Sequence, residues 1–236
     1  MDRITDKIAN LAKALKKDVD PNGEYIDYKT LRKQYEDSDD VIEAVSIAQS
    51  FIAAHDDPAW RQSGSHMMIF YGDYGRGKSH IAGAIAHQLI EQYEISVLYR
   101  QLSTLLEMRN FSFDFSATDN ASQRFREINQ ELLDVDLLIL DEVCVNESAL
   151  KKNAQSWFGN LLRQRLVNKK NCILITNHNL AELENALGRY CFESIKEYDT
   201  YKVRFQGPSR REGLTIEQED MQGSVAQPRY QPNQVR

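Results

Sequence analysis

One stretch of the sequence decides the fold: Gly72-Asp73-Tyr74-Gly75-Arg76-Gly77-Lys78-Ser79. It satisfies G-x-x-x-x-G-K-[ST], follows a short apolar run and opens a helical pattern, which is the context that a phosphate-binding loop requires. Glycines let such a loop turn successive backbone N–H groups towards a polyphosphate, and the helix N-terminus adds a favourable dipole. We therefore predict that residues 72–79, together with His80, bind ATP, with the Lys78 ammonium on the β- and γ-phosphates and the Ser79 hydroxyl on Mg²⁺.

The apolar run Leu137–Leu140 is followed by two adjacent acids, Asp141 and Glu142. A carboxylate at the C-terminal end of a buried strand, beside a phosphate loop, can hold Mg²⁺, and we predict this role for Asp141. The second carboxylate can orient and polarise the water that attacks the γ-phosphate, which we predict for Glu142. Two acids can also simply mark a strand that leaves the core, but their pairing with the phosphate loop favours the catalytic interpretation.

A neutral polar residue, Asn177, ends the apolar run Ile173–Thr176. Its amide can hydrogen-bond the attacking water or the γ-phosphate without adding charge, so we count Asn177 as catalytic beside Lys78 and the two acids. Asparagine also ends many strands and begins many turns, so this residue alone is a weak signal. Its place in the order of motifs strengthens the prediction.

Short apolar runs alternate with helical patterns along the middle of the chain. The runs predict the buried strands of a parallel sheet, at His66–Tyr71, Ile95–Tyr99, Val135–Leu140, Asn171–Thr176 and Tyr201–Phe205. Helical patterns lie between them, at Ser79–Tyr93, within Leu102–Leu133 and at Asn153–Asn168. Repeated βα units with crossover helices predict a three-layer α/β P-loop NTPase core around a parallel five-stranded sheet.

Two further helices are predicted ahead of the sheet. Apolar residues at helical spacing indicate a short amphipathic helix over residues 2–17 and a second helix over Asp40–His55. Pro21-Asn22-Gly23 breaks the chain between them, and Pro58–Ser65 is predicted to be a loop. After Pro208 the chain is polar. We expect three parts: an N-terminal helix and linker over 1–24, an ATPase domain over 25–211, and a disordered tail over 212–236.

The 236 residues carry a net charge of −6, which argues against a protein that coats duplex DNA by charge alone. No acid lies between Ser148 and Ala181, although six cations do: Lys151, Lys152, Arg163, Arg165, Lys169 and Lys170. This basic run allows either a local nucleic-acid groove or a solvated helix face. The apolar runs are too short to cross a bilayer and the three cysteines form no CxxC pair, which predicts no membrane association and a cytoplasmic protein with buried, reduced thiols.

With these motifs in this order, the chain resembles the AAA+ ATPases and, more narrowly, the DnaC/DnaI-type replicative helicase loaders with their IstB-like relatives. The narrower resemblance lies in LLILDEV from Leu137, ITNHNLAELENALGRYCFESI from Ile175 and YKVRFQGPSRR from Tyr201. It extends from Asp27 to Arg211, places a C-terminal arginine element at Arg211, and implies no helical lid domain after the last strand.

The resemblance implies a protein that binds ATP and Mg²⁺, self-associates through its ATPase domains and delivers a hexameric replicative helicase onto single-stranded DNA. In the family, the helix after the sensor strand supplies an arginine finger to the neighbouring subunit. The same register puts Ser194 at that position, which leaves Arg189 and Lys196 of this helix as trans-acting finger candidates. Loss of a finger implies slow hydrolysis. The apolar stripe of residues 4–15 either docks on the helicase or packs on the protein's own core.

The family's DNA-contacting segments correspond to two parts of this chain. One contains Arg109, Phe111 and Phe113, and the other contains Lys151 and Lys152. Cations beside aromatic rings suit single-stranded DNA, because bases stack on rings and phosphates pair with charge. The two phenylalanines can equally be core residues.

Three other functions compete with a helicase loader. An IstB-like helper ATPase of a transposase has the same fold and motifs, and duplex binding with filament formation would favour it. A small-molecule kinase predicts an Arg-rich lid over the phosphates, and the sequence shows none. A nucleotide-switched adaptor with little hydrolysis fits the missing finger. The loader remains the preferred interpretation, and the short N-terminal region with its polar tail suggests a phage or mobile element.

Overall fold

Five short, largely apolar segments pair side by side in one parallel sheet. The computed structural model describes residues 39–63, 65–112, 119–144, 150–206 and Ser209. Within this part of the chain the strands are β1 His66–Tyr71, β2 Val97–Gln101, β3 Leu137–Asp141, β4 Asn171–Thr176 and β5 Asp199–Arg204. They lie in the order β2-β3-β4-β1-β5 and all four pairings are parallel. The predicted three-layer α/β fold with five parallel strands is confirmed.

Helices connect the strands and cover both faces of the sheet, as parallel pairing requires. They are α1 Asp39–Ala53, α2 Pro58–Ser63, α3 Lys78–Tyr93, α4 Leu102–Ser112, α5 Asp119–Asp134, α6 Lys152–Val167, α7 Leu180–Leu187 and α8 Arg189–Lys196, with a 3₁₀ turn at Ala54–Asp56. No described helix is long and apolar enough to span a bilayer.

The strands divide their side chains between two hydrophobic clusters, because successive residues of a strand point to opposite faces. In β1, Met68 and Phe70 pack with α1 and α3 on one face. Met67 and Ile69 pack with helices α4 to α8 on the other face. Both faces are therefore buried, which explains why the strands read as continuous apolar runs rather than alternating ones.

A buried arginine, Arg165, joins the N-terminal ends of β3 and β4. Its guanidinium is fully buried and donates hydrogen bonds to the Leu132, Val135 and Asn171 carbonyls, at 2.6, 3.0 and 2.7 Å. Leu132 lies in the last turn of α5, Val135 lies between α5 and β3, and Asn171 begins β4, so these carbonyls lie at element ends where regular hydrogen bonding leaves acceptors unpaired. Arg165 is thus a structural residue, although the sequence placed it in a basic run.

Several boundary predictions need correction. The third strand begins two residues later than predicted and the fifth strand two residues earlier. The predicted loop Pro58–Ser65 contains α2, because proline is favoured at the first helical position. The single helical stretch within Leu102–Leu133 is two helices, α4 and α5. The second strand begins and ends two residues later than predicted, at Val97 and Gln101. The predicted N-terminal helix, the polar tail and Arg211 lie outside the described residues.

Candidate nucleotide site

The phosphate loop joins the end of β1 to the start of α3. Three of its glycines have positive φ: +131° at Gly72, +71° at Gly75 and +91° at Gly77. Residues with side chains rarely adopt these values, so glycine favours the path that this loop follows. Gly77 is the N-cap of α3 and has no side chain with which to cap this helix end. The first turn of α3 thus presents its backbone N–H groups as an anion site.

Lys78 is folded back onto the loop that carries it. Only 5% of the residue is exposed, and its Nζ donates to the Gly72 carbonyl at 2.6 Å and to the Asp73 carbonyl at 2.7 Å. The ammonium therefore lies inside the loop that leads into the N-terminal end of α3. A phosphate bound at this helix end would lie within reach of Nζ, which can exchange the carbonyls for phosphate oxygens.

The two predicted metal ligands meet across the sheet edge. Ser79 Oγ donates to Asp141 Oδ2 at 2.6 Å, and Asp141 is 7% exposed. The strand order explains the meeting, since β3 is separated from β1 only by β4 and both end at the same edge. The other carboxylate oxygen, Oδ1, accepts the Glu142 N–H at 2.6 Å.

A third residue, Tyr99 of β2, joins this pair. Its phenol donates to the same Asp141 Oδ2 that accepts the Ser79 hydroxyl. Two hydroxyls and one backbone N–H therefore fix the orientation of the Asp141 carboxylate. Tyr99 was not predicted as a site residue, because a tyrosine inside an apolar run belongs to no recognisable motif. Only the pairing of β2 with β3 brings it to Asp141.

Glu142 lies in an unusual turn directly after β3. Its φ is +53° and that of Cys144 is +61°, both in the left-handed region. The turn packs against the end of β4: Val143 N donates to the Ile175 carbonyl at 2.9 Å, and Thr176 Oγ1 donates to the Val143 carbonyl at 2.8 Å. Because Asn177 directly follows Thr176, the structure brings the predicted sensor amide and the predicted base to adjacent strand ends.

The remaining loop residues have different surroundings. Arg76 pairs with Asp73 and also donates to the Phe205 carbonyl at 3.0 Å, which ties the loop to the chain after β5. Tyr74 is 57% exposed at the loop surface. His80 lies half-buried in the first turn of α3.

These residues fit a nucleoside triphosphate with Mg²⁺. The loop offers backbone N–H groups and one ammonium to the phosphates, and a hydroxyl and a carboxylate 2.6 Å apart to the metal. Mg²⁺ prefers such oxygen ligands and usually keeps phosphate oxygens and waters in its remaining positions. The described residues contain no group of three or more His, Cys, Asp or Glu that could hold a metal ion.

Ser194, at the expected finger position, is fully buried in α8. Its Oγ accepts a hydrogen bond from Arg163 Nε at 3.0 Å, and the Arg163 guanidinium also stacks on the Tyr190 ring, 4.5 Å from its centroid. The candidates Arg189 and Lys196 are exposed at the two ends of α8. A cation from α6, Arg163, therefore lies next to Ser194. Sequence register alone could not predict this contact.

The DNA candidates are scattered. Arg109 is only 8% exposed and lies 6.0 Å from the centroid of the Trp157 ring. This position leaves little of the residue exposed, and DNA contact by Arg109 stays a prediction. Phe111, by contrast, is 66% exposed, and Lys151 and Lys152 are exposed at the start of α6. Phe113 lies outside the described residues.

The basic run does not form one continuous patch. Lys151 and Lys152 lie at one end of α6, whereas Lys169 and Lys170 follow its other end, about 24 Å away for a helix of 16 residues. Lys170 pairs with Asp136 at 2.6 Å. Only the N-terminal end of α6 therefore offers a pair of exposed lysines on the same side as the phosphate loop.

The chain is similar to several known proteins. The sequence profile of the family described as IstB-like ATP binding protein matches residues 32–194. The replicative helicase loader DnaC of Escherichia coli K12 is 26% identical over 147 residues, which are 62% of this chain and 57% of that protein. This chain therefore spans little more than half the length of its curated relative.

Two solved structures have the same fold. The crystal structure of DnaI superposes with a TM-score of 0.58 and 22% identity, covering 74% of this chain and 86% of that one. The crystal structure of the DnaC helicase loader superposes with a TM-score of 0.56 and 18% identity, covering 72% and 92%.

Proposed function

This chain belongs to the family of IstB-like ATP binding proteins, and on that premise we propose that it is an AAA+ ATPase that loads a replicative ring helicase onto single-stranded DNA. The family match and the DnaC relative confirm the resemblance to DnaC/DnaI-type AAA+ proteins. The observation that carries the ATPase proposal is the 2.6 Å contact between Ser79 Oγ and Asp141 Oδ2, with the Lys78 ammonium inside the adjacent loop.

The proposed roles follow from the geometry. Lys78 leaves the Gly72 and Asp73 carbonyls to bind the β- and γ-phosphates, while the α3 N-terminus binds the same anion through its N–H groups. Ser79 and Asp141 hold Mg²⁺, which offsets the charge on the phosphates when the nucleotide is bound.

Hydrolysis then depends on two residues at the ends of β3 and β4. Glu142 orients the attacking water and accepts its proton, and Asn177 hydrogen-bonds the water or the γ-phosphate from the neighbouring strand. We propose that both act on a nucleotide bound between self-associated subunits, with Arg189 or Lys196 of the neighbour as the finger. A poor finger predicts slow turnover, so nucleotide binding itself would switch the protein.

The helicase and DNA roles are supported by similarity rather than by contacts. The DnaC relative is a replicative helicase loader by name, and this chain matches little more than half of it. Within the chain, the exposed Phe111, Lys151 and Lys152 are the side chains that we propose contact single-stranded DNA. We further propose that residues 1–24 form the helicase-docking part, 25–211 the ATPase domain, and 212–236 a polar tail.

A pull-down with the host replicative helicase tests the loader proposal. Wild-type protein and Lys78→Ala are compared with and without ATP, and Lys202→Ala, on the far strand β5, serves as a matched lysine control. We expect the wild type and the control to bind the helicase with ATP, and Lys78→Ala to lose the ATP dependence. No association under any condition would remove the helicase role and leave the ATPase proposal standing.

A transposition helper is the second candidate function, because the matching family is described as IstB-like. It predicts ATP-dependent filaments on duplex DNA instead of helicase binding. Electron microscopy of the protein with ATP and a long duplex separates the two functions: filaments favour the helper, whereas binding restricted to single strands favours the loader.

A further inference from the structure

We propose that Thr176 and His178, at the end of β4, are positioning residues that hold the backbone of Glu142 in its left-handed conformation. This inference rests on the proposed ATPase function, in which Glu142 orients the attacking water. Neither side chain needs to contact the nucleotide for this role. They act through the two residues that follow Glu142.

The turn after β3 needs to be held from outside. Glu142 and Cys144 have φ values of +53° and +61°, and neither is glycine. The left-handed region brings Cβ too close to the following carbonyl oxygen, so a free chain would leave it. Such conformations persist only where surrounding structure over-determines them, and they concentrate at functional sites.

Three hydrogen bonds, two from the end of β4 and one from His178 just after it, supply that constraint. Val143 N donates to the Ile175 carbonyl at 2.9 Å, and the fully buried Thr176 hydroxyl donates to the Val143 carbonyl at 2.8 Å. The His178 ring, through Nε2, bonds the Cys144 carbonyl. Val143, which lies between the two left-handed residues, is therefore hydrogen-bonded at both its N–H and its C=O.

His178 is itself held through its backbone, whose N–H donates to Thr176 Oγ1 at 3.2 Å. Its Nδ1 lies 3.6 Å from Glu182 Oε2, in the first turn of α7, and this contact is attractive only when Nδ1 is protonated as well. A bond from Nε2 to a carbonyl requires the proton on Nε2. Thr176 is thus central to this arrangement, because its hydroxyl donates to the Val143 carbonyl and accepts the backbone N–H of His178.

The arrangement makes the sensor amide and the catalytic carboxylate one unit. Asn177 lies between Thr176 and His178 in the chain, so any shift of the β4 end moves Asn177 and the Glu142 turn together. A γ-phosphate bound to Asn177 would therefore shift the backbone of Glu142 without contacting Glu142 directly.

Cys144 reports on the turn independently of catalysis. The residue is 7% exposed, and burial, together with the nearby Cys191 thiol, raises the pKa of the Cys144 thiol to about 12. A protonated, buried thiol reacts slowly with alkylating reagents. Cys172 is fully buried in the central strand β4 and accepts a hydrogen bond from Arg165. Its alkylation rate therefore reports on loosening of the whole core.

The experiment compares Thr176→Val, Thr176→Ser and His178→Phe with the wild type. Valine keeps the shape of threonine and removes the hydroxyl, whereas serine keeps the hydroxyl. Alkylation by N-ethylmaleimide is followed for each cysteine by peptide mass spectrometry, and ATP hydrolysis is measured on the same preparations.

We expect the Cys144 rate to rise roughly two- to tenfold in Thr176→Val and His178→Phe, as the loss of one hydrogen bond predicts, with Cys172 unchanged. Thr176→Ser should restore the wild-type rate. In hydrolysis, kcat should fall by a similar factor while KM for ATP stays the same, because the phosphate loop is untouched.

Unchanged Cys144 labelling in Thr176→Val and His178→Phe would overturn the inference, and so would an equal rise at Cys144 and Cys172. A wild-type protein that binds no ATP would defeat the proposed function alone. The labelling rates would still decide whether these two side chains hold the turn.

Discussion

Gly72 lies directly against the backbone of Phe205, so that a Cβ built on Gly72 would overlap the Phe205 carbonyl oxygen. The same oxygen accepts a hydrogen bond from Arg76, and Phe205 N donates to the Tyr71 carbonyl at 2.8 Å. The phosphate loop is thus seated on the chain that leaves β5. The first glycine of the motif is required by this packing as well as by its φ of +131°.

Gly72→Ala should therefore destabilise the protein more than Gly77→Ala. Both residues have positive φ, which costs an alanine about 1 to 3 kcal/mol, but the φ of Gly72 lies further from the left-handed region. Only Gly72 also meets backbone atoms, whereas a Cβ on Gly77 meets nothing within 4 Å. Urea denaturation measures the two free energies of unfolding. Equal losses would show that the contact with Phe205 has no energetic weight.

Glu142→Gln should retain ATP binding and lose hydrolysis by at least about a hundredfold, because the amide cannot accept a proton from the attacking water. Isothermal titration calorimetry measures binding, and phosphate release measures turnover. Glu91→Gln, in the exposed last turn of α3, is the matched control and should hydrolyse ATP almost normally. Full activity in Glu142→Gln would mean that another group activates the water.

Tyr99→Phe should weaken Mg²⁺-dependent nucleotide binding by about three- to tenfold, since it removes one of the two hydroxyls that orient the Asp141 carboxylate. Nucleotide binding in EDTA should not change. Tyr93→Phe removes a phenol that bonds Asp56 far from the loop, and it should leave both affinities as they are. An equal loss with and without Mg²⁺ would assign Tyr99 a general structural role.

Ser194→Arg should not create a finger. The position is fully buried and its hydroxyl is bonded to Arg163, so the new guanidinium would be placed in the interior beside a like charge. We expect a loss of about 3 kcal/mol or more in unfolding free energy and no faster hydrolysis, with Ser194→Ala as the mild control. A stable, faster Ser194→Arg protein would show that this side of α8 opens to a neighbour.

Asp136 should make the protein sensitive to acid. Burial alone would raise the pKa of this carboxyl, but hydrogen bonds from Lys170 and Ser96 outweigh it and hold the pKa below its usual value. A lowered folded-state pKa stabilises the protein above about pH 4 and loses that contribution as the pH falls further. Asp136→Asn should therefore be less stable than wild type at pH 7, with the difference shrinking towards pH 3. A gap that stays constant over this range would contradict the assignment.

The phosphate loop, the two acids and the parallel α/β order follow from local sequence. Their signals are short-range: glycines at positions of positive φ, apolar runs of strand length, and carboxylates directly after such a run. Each can be read without knowing which strands pair, and each agrees with the structure. The short helix α2 was missed because six residues after a proline resemble a loop as much as a helix.

Only the tertiary structure decided which side chains from distant elements meet. Tyr99 reaches Asp141 because β2 pairs with β3, Arg163 reaches Ser194 because α6 packs on α8, and Arg165 is buried although it lies in a basic run. No local pattern specifies such contacts, since the chemistry of a tyrosine or an arginine is the same in a core and on a surface. The burial and partners that each one finds depend on elements far away in the chain.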